Sequence, residues 1–316
     1  MPVRTGNSRA IQTGFSLWRD IRRNWGLYLL LAPAVVLLIL FIYRPMYGVI
    51  LAFKDYTPSL GIMGSPWADP LPKYFERFFS SYQFGNTIRN TITLSLYVIT
   101  VTFPLPVAMA LYINQMRVKS YRKVFQVVTY LPHFISTVVL VGLMLLVLSP
   151  SVGIVGNLAR LFGAEPVNLV AIPTAFSHLY VWSDVWQHTG WDSIIYLAAL
   201  SAVDPSLYEA ASVDGASKFQ KLRYIDLPML VPTMVTLLIL RSGNIMNIGF
   251  EKTYLMQNSL NIMFSEVIST YVYKLGLLNA QYSLSAAVSL FNNVINFGLL
   301  VMVNQISKRV SSNSLW

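Results

Sequence analysis

The chain of 316 residues contains no cysteine. Disulfides, thiolate metal sites and cysteine nucleophiles are therefore excluded. Charge is scarce as well: Asp, Glu, Lys and Arg make up 11% of the residues, against roughly 25% in soluble domains. No G-x-x-x-x-G-K-[ST] run occurs, so the chain has no P-loop to cradle ATP phosphates. The histidines His133, His178 and His188 show neither metal-ligand spacing nor thiolate companions. No nucleophile elbow or acid–base carboxylate pair stands out. No catalytic residue, metal or cofactor is assigned to this chain.

What is present is apolar. Hydrophobic residues account for 55% of the chain and the mean hydropathy is +0.54. The charges gather between long apolar runs, the pattern of a polytopic membrane protein. Six segments approach the roughly 20 residues that cross a bilayer core. They are Gly26 to Tyr43, Asn90 to Ile113, Val124 to Leu148, Ala175 to Leu200, Met229 to Ile248 and Ser283 to Val303. The expected fold is all-α: six transmembrane helices in residues 26–304, an outer loop at 44–86 and an inner loop at 204–228. Residues 1–25 form a basic tail with an interfacial helix, and residues 305–316 a second tail. The first span reads as a retained helix. It crosses fully, and Tyr43-Arg44-Pro45 follows it where a signal peptide would carry small residues.

Arg4, Arg9, Arg19, Arg22 and Arg23 precede the first span. Arg117, Lys119, Arg122 and Lys123 lie between the second and third, Lys218, Lys221 and Arg223 between the fourth and fifth, and Lys308 and Arg309 after the sixth. The alternate connections hold half as many cations. By the positive-inside rule both termini and the 204–228 loop face the cytoplasm. The net charge of +10 is thus a topology signal, and nucleic acid is not an expected partner.

The inner loop is strongly patterned. Asp204 suits a helix N-cap, Pro205 the first helical position, and Val203 with Tyr208 a hydrophobic staple. The helix runs through Glu209, Ala210 and Ala211 to Gly215, a C′ residue. Ser217 caps a second short helix through Phe219, Leu222 and Ile225, and Pro228 leads into the fifth span. Taken by itself this is either a docking element for a partner or an ordinary amphipathic interfacial hairpin.

The spacing Glu209-Ala210-Ala211, three residues, Gly215, nine residues, Ile225-x-Leu227-Pro228 resembles the EAA motif of ABC importer permeases. The likeness extends to Tyr43–Gly48, Ala52–Tyr56, Gly64–Trp67, Tyr130–Ser136 and Trp316, which look like the LplB/YtcP-type carbohydrate permeases, a group that includes an alginate permease subunit. The resemblance implies an ABC importer type I permease fold in a bacterial inner membrane. It makes the inner loop a coupling helix contacting an ATPase through Glu209, Ala210, Ala211, Asp214, Gly215, Ile225, Leu227 and Pro228. Implied partners are an ABC ATPase dimer that binds ATP and Mg, a second homologous permease subunit, an extracytoplasmic sugar-binding protein, and membrane lipid. Alternative functions are a stand-alone ion-coupled transporter and an ABC importer of another solute such as peptide.

Polar residues inside spans mark candidate substrate contacts. Arg241, Asn244 and Asn247 stand at i, i+3, i+6 in the fifth span, with Glu251 beyond them. Asn292, Asn293 and Asn296 lie in the sixth. Their amides either meet a polyol or tie helices together. In the fourth span Trp186 and Trp191 either stack on sugar rings or form part of an aromatic belt around the Asp184–His188 pair. The outer loop, rich in Tyr, Phe, Pro and Gly, is either a docking face or a cap packed on the bundle.

Overall fold

The computed structural model describes residues 21–310. The expected interfacial helix of the basic tail lies mostly outside them, and Trp316 entirely so. The described residues contain no strand beyond one antiparallel bridge between Lys54 and Trp67.

Helix α1 (Trp25–Phe53) is the most apolar, and none of that apolar stretch is buried. Helix α2 (Phe84–Asn114) starts before the expected span. Helix α3 (Lys119–Phe134) and α4 (Thr137–Val147) meet at a 99° bend. Helix α5 (Ala175–Ser201) packs against α2 and α3. Helix α6 (Pro205–Val213) is the first arm of the inner hairpin, and α7 (Lys218–Ser242) is its second arm and the fifth span in one. Helices α8 (Phe250–Met256) and α9 (Ile268–Tyr273) are short and packed inward. Helix α10 (Tyr282–Val310) closes the described chain.

Among the described residues, four helices are long and apolar enough to span a membrane, or five if the bent α3–α4 pair is one span. The expected count of six is therefore not met by length and apolarity. Helix α5 has 27 residues, sufficient for about 40 Å, but its Asp184, Gln187, His188 and Asp192 dilute its apolar character.

The straight third span expected at 124–148 is broken. Pro132 and the extended residues Ile135 and Ser136 end α3. The freed carbonyl of Ile135 accepts from the buried Gln187 amide of α5 at 2.7 Å, and Ser136 caps α4 through Val139 N–H. An unpaired carbonyl in an apolar interior would cost about 1–3 kcal/mol.

The second arm of the hairpin also differs from expectation. It does not stop before Pro228 but runs on as α7. The turn at Leu222–Asp226 is π-type, as is the turn at Ile39–Tyr43 ahead of Pro45. Proline has no N–H and its ring crowds the carbonyl four residues back. In both helices that carbonyl, of Tyr224 or Phe41, falls inside the widened turn, which absorbs the clash without breaking the helix.

Two connections are more ordered than their sequence suggests. Residues 250–278, which connect the expected fifth and sixth spans, bury Met256, Asn261, Val267, Ile268 and Thr270. The Asn261 amide donates to Val170 O and Met256 O. In the outer loop, Lys54 is buried and its ammonium donates to the carbonyls of Ile62, Met63 and Ser65. Ser283 of α10 donates to Lys54 O and accepts from Tyr56 N–H. Phe78 is fully buried against Phe84, Tyr271 and Phe291. This part of the outer loop is a cap packed on the bundle. The Lys73–Asp55 ion pair and the Tyr74 hydroxyl on its rim hold the Asp55 carboxyl below its usual range.

Helix α5 approaches α3 closely at Gly190. A Cβ there would lie 2.0 Å from the Thr129 carbonyl oxygen, whereas a Cβ at Gly298 meets nothing within 4 Å. Gly190→Ala is expected to destabilise the detergent-solubilised protein by about 1–3 kcal/mol, seen as a lowered Tm, with Gly298→Ala as a near-neutral control.

Candidate functional site

Two places gather the residues singled out in the sequence. The first is the inner hairpin. Asp204 accepts from Ser206 N–H at 2.9 Å, and this bond lowers its carboxyl pKa. Gly215 has φ +75°, the left-handed conformation that closes a helix at C′. Gly215 N–H bonds Ser212 O, and Ala216 N–H bonds Ala211 O, which together make a Schellman cap. Ser217 and Gln220 then form a reciprocal capping box. The stop and restart are thus fully hydrogen-bonded, and the turn geometry needs no partner to hold it.

The hairpin is anchored to the bundle by one buried carboxylate. Asp226 is 0% exposed and accepts from the Tyr208 hydroxyl of α6 and from Gln115 at the end of α2, the latter at 3.2 Å. Burial, followed by the hydrogen bond to Asp226, pushes the Tyr208 hydroxyl up to about 12. The x of the Ile225-x-Leu227-Pro228 run is therefore the residue that fixes the hairpin. Sequence spacing singled out its neighbours. Glu209, Ala210, Asp214, Gly215 and Pro228 are exposed, while Ala211, Ile225 and Leu227 are half-buried. Leu207, Val213, Phe219 and Tyr224 add exposed apolar surface on the same element.

The second place is a cavity of about 490 Å³ between α2, α5, α7 and the segment after it. Arg241, Asn244 and Asn247 all line it, as expected of a shared face. They are not on one continuous helix, however: α7 ends at Ser242. The following turn carries Asn244 and Asn247 to the cavity. Glu251 is exposed and does not line it.

The cavity charges are paired. Arg241 Nη2 lies 2.6 Å from Asp192 Oδ2, and Nη1 donates to Thr102 at 3.0 Å. Asp184 meets His188 at 3.3 Å and Lys252 Nζ at 3.3 Å. The Lys252 ammonium also donates to Tyr180 O and sits 4.6 Å from the Tyr180 ring centre. Lys252 was missed because its segment reads as an outer connection. The signal available was the apolar spacing of Phe250, Thr253, Tyr254 and Met256, which puts Lys252 on a short helix.

The sixth-span asparagines go elsewhere. Asn292 donates to Asn247 Oδ1 at 2.7 Å, and Asn296 accepts from Met246 N–H at 2.9 Å. They tie α10 to the unwound turn and do not line the cavity. Asn293, about 100° further round the helix, is exposed. Trp186 faces away from the cavity, into a separate groove beside α3. Trp191 stacks on His133 at 4.4 Å and flanks the Arg241–Asp192 pair from the other side.

Against known proteins, the profile of the family described as binding-protein-dependent transport system inner membrane component matches residues 102–312. The polygalacturonan/rhamnogalacturonan transport system permease protein YteP of Bacillus subtilis (strain 168) is 38% identical over 290 residues, 92% of this chain and 90% of its own length. Protein LplB of the same organism is 37% identical over 303 residues, 96% of this chain and 95% of its own. A crystal structure of a bacterial ABC transporter involved in the import of the acidic polysaccharide alginate superposes with a TM-score of 0.86 at 40% identity, over 94% of this chain and 99% of that one. A second structure, of the bacterial alginate ABC transporter with an alginate pentasaccharide-bound periplasmic protein, matches at 0.86 and 39% identity, over 95% and 99%.

Arg241→Gln and Asp192→Asn are each expected to lower stability by about 1–3 kcal/mol, since each leaves a partly buried charge without its partner. The double variant should lose less than the sum of the two, as read by denaturation in detergent.

Proposed function

The chain belongs to the family of binding-protein-dependent transport system inner membrane components, and from that membership we propose that it is one permease subunit of an ATP-driven importer of oligo- or polysaccharides. The observation that carries the coupling role is the projecting hairpin. It is capped at both ends, anchored through Asp226, and exposes Glu209, Ala210 and Gly215 together with Leu207, Val213, Phe219 and Tyr224. A rigid turn with small residues at Ala210 and Gly215, edged by exposed apolar side chains, suits insertion into a cleft on an ATPase subunit, which would bind the ATP and Mg. The same reading puts the hairpin and both termini in the cytoplasm, in keeping with the distribution of cations.

The cargo is carbohydrate on the strength of the relatives' printed names, which include polygalacturonan/rhamnogalacturonan transport and import of the acidic polysaccharide alginate. The cavity supports passage of such a cargo: it presents amides, hydroxyls and one guanidinium already held by a carboxylate. A sugar carboxylate would compete with Asp192 for Arg241. The unburied α1 fits a chain that completes its pore with a second, homologous permease. Delivery of cargo by an extracytoplasmic binding protein completes the proposal.

Replacing Gly215 with Val puts a β-branched residue at φ +75°, where L side chains are strained. In the reconstituted transporter this variant is expected to insert normally but to lose most cargo-stimulated ATPase activity and uptake. Unchanged uptake would count against the coupling role. Sugar movement by this chain alone under an ion gradient would overturn the importer reading. Asp192→Asn is expected to shift uptake toward uronate-bearing oligosaccharides relative to neutral ones, and Arg241→Gln to shift it the other way.

A further inference from the structure

A groove of about 560 Å³ runs between α2, α3 and α5, apart from the polar cavity. Its walls include Tyr112, Phe125, Trp182 and Trp186, and the two tryptophans are more than half exposed. The groove is almost wholly apolar, so within a bilayer it has no need of a polar occupant. One end differs. On α3, Tyr121 and Arg122 sit one turn ahead of Phe125 and share its face. The Tyr121 and Tyr112 rings lie 6.4 and 5.6 Å from that of Phe125. Arg122 is half-buried there, and Arg117, Lys119 and Lys123 are exposed around it.

None of these four cations makes an ion pair among the described residues. Local sequence offers them none either: no Asp or Glu occurs between Glu76 and Glu165. The carboxylate that reaches this end of α2, Asp226, is fully buried and already accepts from Tyr208 and Gln115. The site thus combines an apolar trough with an uncompensated cluster of cations at its mouth.

We propose that this groove binds an anionic phospholipid, with an acyl chain along Phe125, Trp182 and Trp186 and the phosphate at Arg122 and its neighbouring cations. Charge complementarity selects this occupant over a protein helix. A homologous subunit's first span, if built like α1 with Arg22 and Arg23 before it, would bring more cations to the same level. An anionic headgroup supplies what the cluster lacks, at a membrane surface where each basic residue adds to the attraction.

The test uses the full chain in bilayers containing either phosphatidylglycerol or phosphatidylcholine with brominated acyl chains, at equal mole fraction. Tryptophan fluorescence is read, with a Trp182→Phe/Trp186→Phe variant to assign the groove signal. Brominated phosphatidylglycerol is expected to quench the groove tryptophans more than brominated phosphatidylcholine. The excess should vanish in the Arg117→Gln/Lys119→Gln/Arg122→Gln/Lys123→Gln variant. It should also vanish in Val128→Phe, which fills the groove and keeps every charge, so the proposal stays testable if the charge variant fails to insert. Equal quenching by the two lipids in the wild type, or an excess that survives either variant, overturns the proposal. Protection from both lipids, as a seated protein helix would give, overturns it too.

Discussion

A backbone that leaves the helical path inside an apolar bundle must find its hydrogen bonds within the protein, because the hydrocarbon offers none. The rest of this structure depends on how that constraint is met. Helix α3 breaks at Ile135, and Gln187 of α5 reaches over to satisfy the carbonyl. The chain unwinds after Ser242, and Asn296 of α10 accepts from Met246 N–H. Ser95 of α2 and Ser269 donate to the Ile245 and Ile248 carbonyls. Each break is mended by a polar side chain from a different element. The mends lock the helices to one another more specifically than apolar packing alone would.

The same economy explains the charges. The ions at the cavity occur as sets, Asp184 with His188 and Lys252 and Asp192 with Arg241, while the buried Lys54 and Asp226 are held by neutral hydrogen-bond partners. A single ion in this setting would be very costly, whereas pairing and hydrogen bonding make it tolerable. The cavity consequently presents polar groups with little net charge.

Rigidity is spent at the inner hairpin. A Schellman cap, a capping box and a buried tyrosine–carboxylate contact leave this element few ways to bend on its own. Its second arm is continuous with α7, which ends at the cavity through Arg241. One helix therefore links the hairpin to the unwound turn at 243–249. Continuity through Pro228 matters here. The π turn ahead of the proline keeps the helix unbroken.

Membrane class, the positions of most apolar helices and the hairpin with its caps were all legible in the sequence. These features are local: apolar runs, cation placement, and capping residues acting over three to five positions. Residues 204–217 could be read closely because Asp204, Gly215 and Ser217 act on their own backbone. The structure alone decided what the intramembrane polar residues do. Nothing local distinguishes Asn247, which lines the cavity, from Asn296, which bonds a distant backbone N–H, or reveals that Lys252 is buried against Asp184. Those outcomes depend on which helix lies opposite, a long-range relation that periodicity does not encode. For the same reason the sequence marked Ile225, Leu227 and Pro228 but passed over Asp226 between them, whose partners Tyr208 and Gln115 are 18 and 111 residues away.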